Sequence, residues 1–356
     1  MTIKLKSSKI ILYGSYGYTG KLIAQECRLK KLDVILSGRN EEALKKQSSQ
    51  TNYPYEVVDI HDATALKNLL AKGELVIHCG GPFQHTAKAM ASACLETKTH
   101  YTDITGESAV FELLSKLDDQ GKQAGITIMP GTGFDVVPSD CLALHLKNRL
   151  RSATHLQLAF ASSGAGFSRG TSKTMTEGLG YGSMIRKDGK LTTVPTGSLT
   201  KEIDYGPFKI PSLNIPWGDI STAWRSTGIP NIEVYIGSNE KQITYAKRSN
   251  YINWFLRLRW VKDYMLKKID QKPAGPSEEK RAKGRMYLWG KVWDGSGKES
   301  SARLETIDGY TLTAKTSVLI AEKILNGNFK TGYQTPAMAY GADLILETEG
   351  TKRMDL

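Results

Sequence analysis

The sequence predicts an α/β fold, a doubly wound parallel sheet, followed by an α+β domain built on a largely antiparallel sheet. Three observations carry this. Before residue 130, short apolar runs alternate with helix-compatible stretches. A glycine-rich turn stands directly between the first apolar run and the first helix. Beyond residue 150 the alternation gives way to period-two patterns joined by turns.

In order, the first strands are expected at 9–13, 34–37, 55–58, 75–79, 100–103 and 126–129, with helices at 18–30, 41–50, 63–72, 86–97 and 108–124. Asn40 and Asp62 precede two of these helices, where a side-chain oxygen can accept from a free backbone N–H. Strands separated by helices pair in parallel, because a tight hairpin cannot close a parallel pair. The run 154–160 then alternates as a strand with one wet face, Asp188-Gly189 makes a hairpin turn, and further strands are expected at 232–236, 286–293 and 302–305.

Composition narrows the class. With 356 residues, 40% hydrophobic and 24% charged, the chain is long enough for two globular domains. No apolar run approaches the ~18 residues of a membrane span. The start, Met1-Thr-Ile-Lys-Leu-Lys, lacks the apolar core of a signal peptide, and the expected location is the cytoplasm. Cys27, Cys79, Cys94 and Cys141 form no CxxC pair, and the histidines show no HExxH spacing, so neither a disulfide framework nor a metal site is expected.

The strongest local signal is Gly14-Ser15-Tyr16-Gly17-Tyr18-Thr19-Gly20. Glycine suits a tight turn where a side chain would block a diphosphate, and the following helix offers N–H groups and a positive dipole end. This is the fingerprint of a Rossmann-like dinucleotide domain. At the second strand end, Ser37-Gly38-Arg39-Asn40 replaces the carboxylate that usually holds the ribose of NAD. Arg39, aided by Ser37 and Asn40, suits a 2′-phosphate, so NADP is the expected cofactor. Asp59 is placed to meet the adenine edge, with helix capping an equal alternative.

Three loops leave the carboxyl edge of this sheet, where ligands of such folds bind. Cys79-Gly80-Gly81-Pro82 lets backbone approach a ribose or nicotinamide, and Tyr101-Thr-Asp103-Ile-Thr-Gly-Glu107 brings two carboxylates. The third, Pro130-Gly-Thr-Gly-Phe-Asp135, leads into a helix start at Val-Val-Pro138-Ser139-Asp140. Asp103, Glu107 and Asp135 are the candidate catalytic or polar-positioning groups, with capping and turn formation as alternative roles.

Residues 241–290 hold 13 Lys and Arg against 4 Asp and Glu, most of the chain's formal charge of +12. Trp254, Leu258, Val261 and Met265 recur there at helical spacing. A basic amphipathic helix over 250–268 suits peripheral contact with an anionic membrane; packing on the domain core is the competing reading. No nucleic-acid recognition motif accompanies the charge. Tyr264 and Lys268 share the spacing of short-chain dehydrogenases but fall outside the nucleotide domain, and the glycine-rich 164–182 stretch, with Ser168, Arg169 and Tyr181, better suits a loop facing the nicotinamide.

Gly14–Gly20, Ser37–Asn40, Gly80–Phe83, Tyr101–Glu107, Gly133–Asp140 and the later Ile215-Pro-Trp-Gly-Asp219 and Ser226–Asn231 together resemble the saccharopine dehydrogenase-like oxidoreductases, above all their shorter branch of trans-acting enoyl reductases. The resemblance implies an NADP-binding domain over 1–133, an α+β substrate domain over 134–335, and a segment 336–356 packing back on the first domain. It implies an NADP-dependent oxidoreductase, with hydride transfer to an activated C=C or C=N bond of a small-molecule or acyl-chain substrate held between the domains. A non-catalytic NADP sensor or membrane-associated partner stays open beside it, as does a homodimer. The chain lacks a GxSxG elbow and shows no cluster for two amino-acid carboxylates.

Overall fold

The computed structural model describes residues 9–164 and 166–356. The amino-terminal run behind the signal-peptide expectation, residues 1–8, lies outside the described residues, as does Ala165 of the 164–182 stretch. Two compact units emerge. One takes the chain up to Asp135 and then Tyr310–Ala339; the other takes Val136–Gly309 and Tyr340–Leu356.

In the first unit, strands β1 (Ile10–Tyr13), β2 (Val34–Gly38), β3 (Tyr55–Val57), β4 (Leu75–His78), β5 (His100–Asp103) and β6 (Thr127–Met129) alternate with helices. The spatial order is β6-β5-β4-β1-β2-β3, every pair parallel, and Gly332–Tyr333 extends the sheet beyond β6. β1, β2, β4 and β5 are buried end to end, as expected for a sheet covered on both faces. The order reverses between β1 and β4, so the two chain ends beside each other there run off to opposite sides and leave a crevice.

The expected helix 108–124 is two, Ser108–Ser115 and Asp118–Ala124. The second packs against the returning strand: a Cβ on Gly121 would lie 3.0 Å from the Gly332 Cα, and Asp118 accepts from the Tyr333 N–H at 2.9 Å. This return corrects the domain boundaries. Residues 310–339 rejoin the first unit, and the tail expected there instead joins the second, Lys352–Asp355 pairing in its sheet.

The second unit strings β7 (His155–Ser163), β8 (Ser183–Lys187), β9 (Lys190–Val194), β10 (Thr200–Asp204), β11 (Lys209–Asn214), β12 (Asn231–Gly237), β13 (Arg285–Trp293) and β14 (Glu299–Ile307) into a mixed sheet. Its path is β10-β11-β12-β7-β13-β14-Lys352–Asp355, with the β8–β9 hairpin attached to β12; β7–β12 is parallel and the other pairs are antiparallel. The hairpin turns on Asp188 and Gly189, both at positive φ (49° and 77°), the geometry whose twist matches the flanking strands. β13 buries every second residue, the mark of one covered face.

The single helix expected over 250–268 is broken. Glu240–Ser249 is followed by a tight turn at Asn250–Ile252, a short helix Asn253–Leu256, and helix Arg259–Asp270. Leu258, extended at φ −63° and ψ 131°, interrupts the ladder. Trp254 and Leu258 are therefore exposed while Val261 is buried, and the four do not make one stripe.

Candidate functional site

Each glycine of the first loop answers a different constraint. Gly14 sits at φ +77°, and a Cβ there would lie 2.8 Å from the Gly80 nitrogen, so the loops after β1 and β4 touch with no room for a side chain. A Cβ on Gly20 would meet the carbonyl oxygens of Gly14 and Ser15 at 2.6 Å. Gly17 stands extended at the N-cap of helix Tyr18–Leu29, which has no side-chain cap and no acid in its first turn. The next two helices are capped by Asn40 and Asp62. Bare backbone at an uncapped helix start is a ready site for a diphosphate.

Around this cradle the remaining candidates divide. Ser15 does not face outward: its buried hydroxyl donates to Gln47 Oε1 at 2.8 Å, and Gln47 returns a bond to the Ser15 carbonyl at 2.9 Å, locking the loop onto helix Glu41–Thr51. Tyr16 lays its ring against Gly38, where a Cβ would lie 2.5 Å from Cε1. Tyr18 packs edge-on to Tyr310 at 5.1 Å, and Thr19 is half-buried in the same first turn.

At the end of β2 the three expected partners of a 2′-phosphate are reduced to one strong one. Arg39 is exposed, one residue past the end of β2. The expectation for Ser37 fails, because its hydroxyl is buried and donates to the Glu56 carbonyl at 2.9 Å, tying β2 to β3. Asn40 uses Oδ1 to cap its helix through the Ala43 N–H, which leaves its amide NH2 as the donor side. Asp59, exposed, accepts from the His61 N–H at 2.9 Å and shapes the turn before helix Ala63–Leu70, whose cap is Asp62, the residue that takes the capping role weighed for Asp59.

At the carboxyl edge, two of the three acids are structural. Asp103 is fully buried, accepting from the Tyr101 hydroxyl (2.5 Å), Thr105 N–H (3.0 Å) and Gly131 N–H (2.8 Å). Burial pushes its carboxyl up to about 6 against the downward pull of those bonds. It clamps the loops after β5 and β6, and a proton-transfer role is set aside. Glu107 places its two oxygens on the N–H groups of Phe83 and Gln84, each at 2.9 Å. It thereby caps helix Phe83–Thr97, and its expected acid–base role is corrected to capping.

Asp135 remains. It is half-buried beside Gly106, where a Cβ would lie 2.8 Å from Oδ2. Burial, and then the neighbouring Glu107 charge, push its carboxyl up to about 7. A carboxyl poised near neutrality at the edge of the sheet can hold or deliver a proton.

One functional residue escaped the sequence reading. His78 ends β4 fully buried, directly before the Gly80-Gly81 loop. Thr86 donates to the Gly80 carbonyl at 2.8 Å, so its oxygen accepts from His78 Nε2 at 2.9 Å, while Nδ1 faces the Gly80 N–H at 3.4 Å. The closed ring of bonds fixes the loop, and burial pushes the imidazole down to about 3, keeping it neutral. Gly80 lies against this imidazole and Tyr13, Gly81 is exposed, and Pro82 precedes the helix that Glu107 caps. Burial raises the thiol of Cys79, and its backbone N–H donates to the Tyr13 carbonyl at 2.8 Å, tying this loop to β1. The signal available was a lone histidine at a strand end before paired glycines.

Residues elsewhere in the chain are also accounted for structurally. Ser168 caps helix Arg169–Glu177 through the Thr171 N–H, Arg169 reaches the Asp270 carbonyl, and Ser183 bonds Asn214. Lys268 stacks on Tyr264 at 5.6 Å on a helix of the second unit.

The chain is similar to several known proteins. Residues 10–129 match the family model described as saccharopine dehydrogenase NADP binding domain. A lipid droplet localized protein of Caenorhabditis elegans is 24% identical over 71% of this chain and 66% of its own length. A trans-acting enoyl reductase of Mycobacterium leprae is 30% identical over 40% of this chain and 36% of its own length. The chain thus covers less than two thirds of either relative. Saccharopine dehydrogenase (L-Glu forming) from Saccharomyces cerevisiae superposes with a TM-score of 0.70 at 14% identity, over 98% of this chain and 100% of that one, which shows a shared fold. Residues 10–129 are therefore similar to the saccharopine dehydrogenase NADP binding domain, in a chain that has the fold of saccharopine dehydrogenase.

Proposed function

We propose that the chain is an NADPH-dependent oxidoreductase that reduces an activated double bond, an enoyl C=C of a lipid-like substrate or a C=N. The observation that carries this is the helix start within Gly14–Gly20, with no side-chain cap from Gly17 and no acid in its first turn, in a stretch that matches an NADP-binding family model and is followed by an exposed Arg39. The enoyl reductase and lipid droplet names of two relatives favour the acyl-chain substrate.

NADPH supplies a hydride when bound. The residues of this chain do the rest. Backbone N–H groups of the first turn after Gly17 hold the diphosphate, and Arg39 with the Asn40 amide binds the 2′-phosphate. The Gly80-Gly81 backbone, held in shape by His78 and Thr86, lines the ribose and nicotinamide side. Asp135, protonated up to about pH 7, delivers the proton that balances the hydride, and Glu107 holds it in that state through its charge. Both groups then act by position in a site that needs no nucleophile.

The test mixes the protein with NADPH and a panel of enoyl thioesters and imines while absorbance of the reduced nicotinamide is followed. Oxidation that depends on substrate supports the reductase. Tight NADPH binding with no turnover on any substrate marks a sensor instead, and no calorimetric heat with NADPH or NADH overturns both. The proposed setting is the cytoplasm, with peripheral contact to a membrane through 250–268; no helix among the described residues is long and apolar enough to cross one.

A further inference from the structure

We infer that residues 245–264 form a docking face for an anionic phospholipid surface, on which Trp254, Trp260 and Tyr264 insert among the headgroups. The inference deepens the membrane half of the reading above, and its test is separate from nucleotide chemistry.

Its basis is a segment that turns large aromatic side chains outward. Seven of the sixteen large hydrophobic side chains exposed among the described residues fall within these twenty positions. Tyr251 is 85% exposed, Trp254 69%, Trp260 64% and Tyr264 61%. Three polar side chains, by contrast, bond back to the chain and pin the segment, while Lys247, Arg248 and Arg259 stay exposed. Asn250 bonds both the N–H and the carbonyl of Thr196, at 3.1 and 2.7 Å, and Arg257 Nε donates to the Gly180 carbonyl at 2.7 Å. Lys262, 4% exposed, donates to the Glu177 carbonyl. A folded surface normally arranges these residue types the other way round.

The apolar groups are also organised. Phe255 joins Trp254 and Trp260 edge-to-face at 5.8 and 5.5 Å, giving one aromatic cluster at the break between the two helices. On helix Arg259–Asp270, Trp260 and Tyr264 stand one turn apart on the exposed face, while Val261 and Ile269 are buried. Tryptophan and tyrosine with one apolar and one polar end favour the headgroup level of a membrane.

Charge selects the kind of surface. Residues 240–272 carry nine Lys and Arg against three acids. Two of those acids are already paired, Asp263 with Arg259 at 2.9 Å and Asp270 with Lys173 at 2.6 Å. The excess positive charge beside an aromatic cluster matches anionic headgroups over acyl chains. It argues against a neutral or cationic occupant.

The experiment floats the full chain with phosphatidylcholine vesicles, with and without phosphatidylserine, across a salt series. Binding is expected only with phosphatidylserine, to weaken as salt rises, and to fall about 100-fold in the triple variant W254S/W260S/Y264S. NADPH affinity and melting temperature of that variant, unchanged because its side chains are exposed, show that it is folded. The proposal is overturned if the wild type ignores phosphatidylserine vesicles at low salt, or if the triple variant binds them as the wild type does. It is equally overturned if the face serves to pair two copies, seen as a sedimenting dimer that the variant loses without any vesicle binding. A protein that binds vesicles but no NADPH would leave this inference standing and remove the reductase reading.

Discussion

Two helices of the first unit start the same way and end with opposite uses. Tyr18–Leu29 follows β1 through a glycine loop, and Phe83–Thr97 follows β4 through another. Neither has a cap from its own N-cap residue. At the second, Glu107 reaches across from another loop and places a carboxylate on two of the orphan N–H groups. At the first, no acid stands in the opening turn. The helix dipole makes both ends attractive to an anion. The chain supplies its own at one, and the other is where the proposed function puts a ligand's phosphates. What distinguishes the two helix starts is one carboxylate some twenty residues downstream.

The comparison can be broken at either end. The largest effect is expected downstream of both, at the acid that the Glu107 charge helps keep protonated: Asp135→Asn should cut kcat by about 100- to 1000-fold, the usual worth of a positioned proton donor. Since the acid form is the active one, wild-type kcat/KM should hold up to about pH 7 and decline above it, a limb that the variant loses. Next in size is Gly17→Asp, which would give the open helix the carboxylate that the other already has. NADPH affinity, read by calorimetry, should fall about 100-fold while the melting temperature moves by no more than about 2 °C; unchanged affinity would mean that the open end does not hold the diphosphate.

Arg39→Ala should weaken NADPH about 10- to 100-fold and NADH hardly at all, and equal losses for the two would remove the argument for cofactor choice. The smallest change is Glu107→Gln. Losing the charged cap should cost about 1 kcal/mol, seen as a melting temperature lower by roughly 2–4 °C. It should also move the alkaline limb of the rate profile downward, because the Glu107 charge helps hold the Asp135 proton.

Stability has its own pH sign. Asp135 is raised from 3.8 to about 7 in the folded chain, so the native state binds more protons between those values. Its contribution is present below about pH 4 and is lost as pH rises through 7. Melting curves across that window should show the decline, and Asp135→Asn should flatten it.

Much of this was legible before any coordinates. The six parallel strands, the capping by Asn40 and Asp62 and the turn at Asp188-Gly189 follow from period and local chemistry, both of which act within a few residues. β10 was missed because, at a sheet edge, Thr-Lys-Glu-Ile-Asp keeps charges outward and shows no apolar run. Site residues divided for a related reason. Glycine positions speak through their own backbone, whereas the duties of Ser15, Ser37 and Glu107 depend on Gln47, Glu56 and helix Phe83–Thr97, partners 19 to 32 residues away. No single-sequence pattern records those distances. His78 was invisible for the same cause, its importance lying in a ring of bonds that closes only in the fold.

The nucleotide unit is not continuous along the chain. Thr132 and Phe134, on the loop that carries Asp135, depend on Ser317 and Thr313, and Gly332–Tyr333 completes the edge of the sheet beside β6. A ribosome making this protein would therefore release a half-built cofactor domain with an open strand edge, and more than 170 residues would emerge before the missing helix and strand arrived to seal it. Maturation of the binding loop is thereby timed by the synthesis of everything inserted into it.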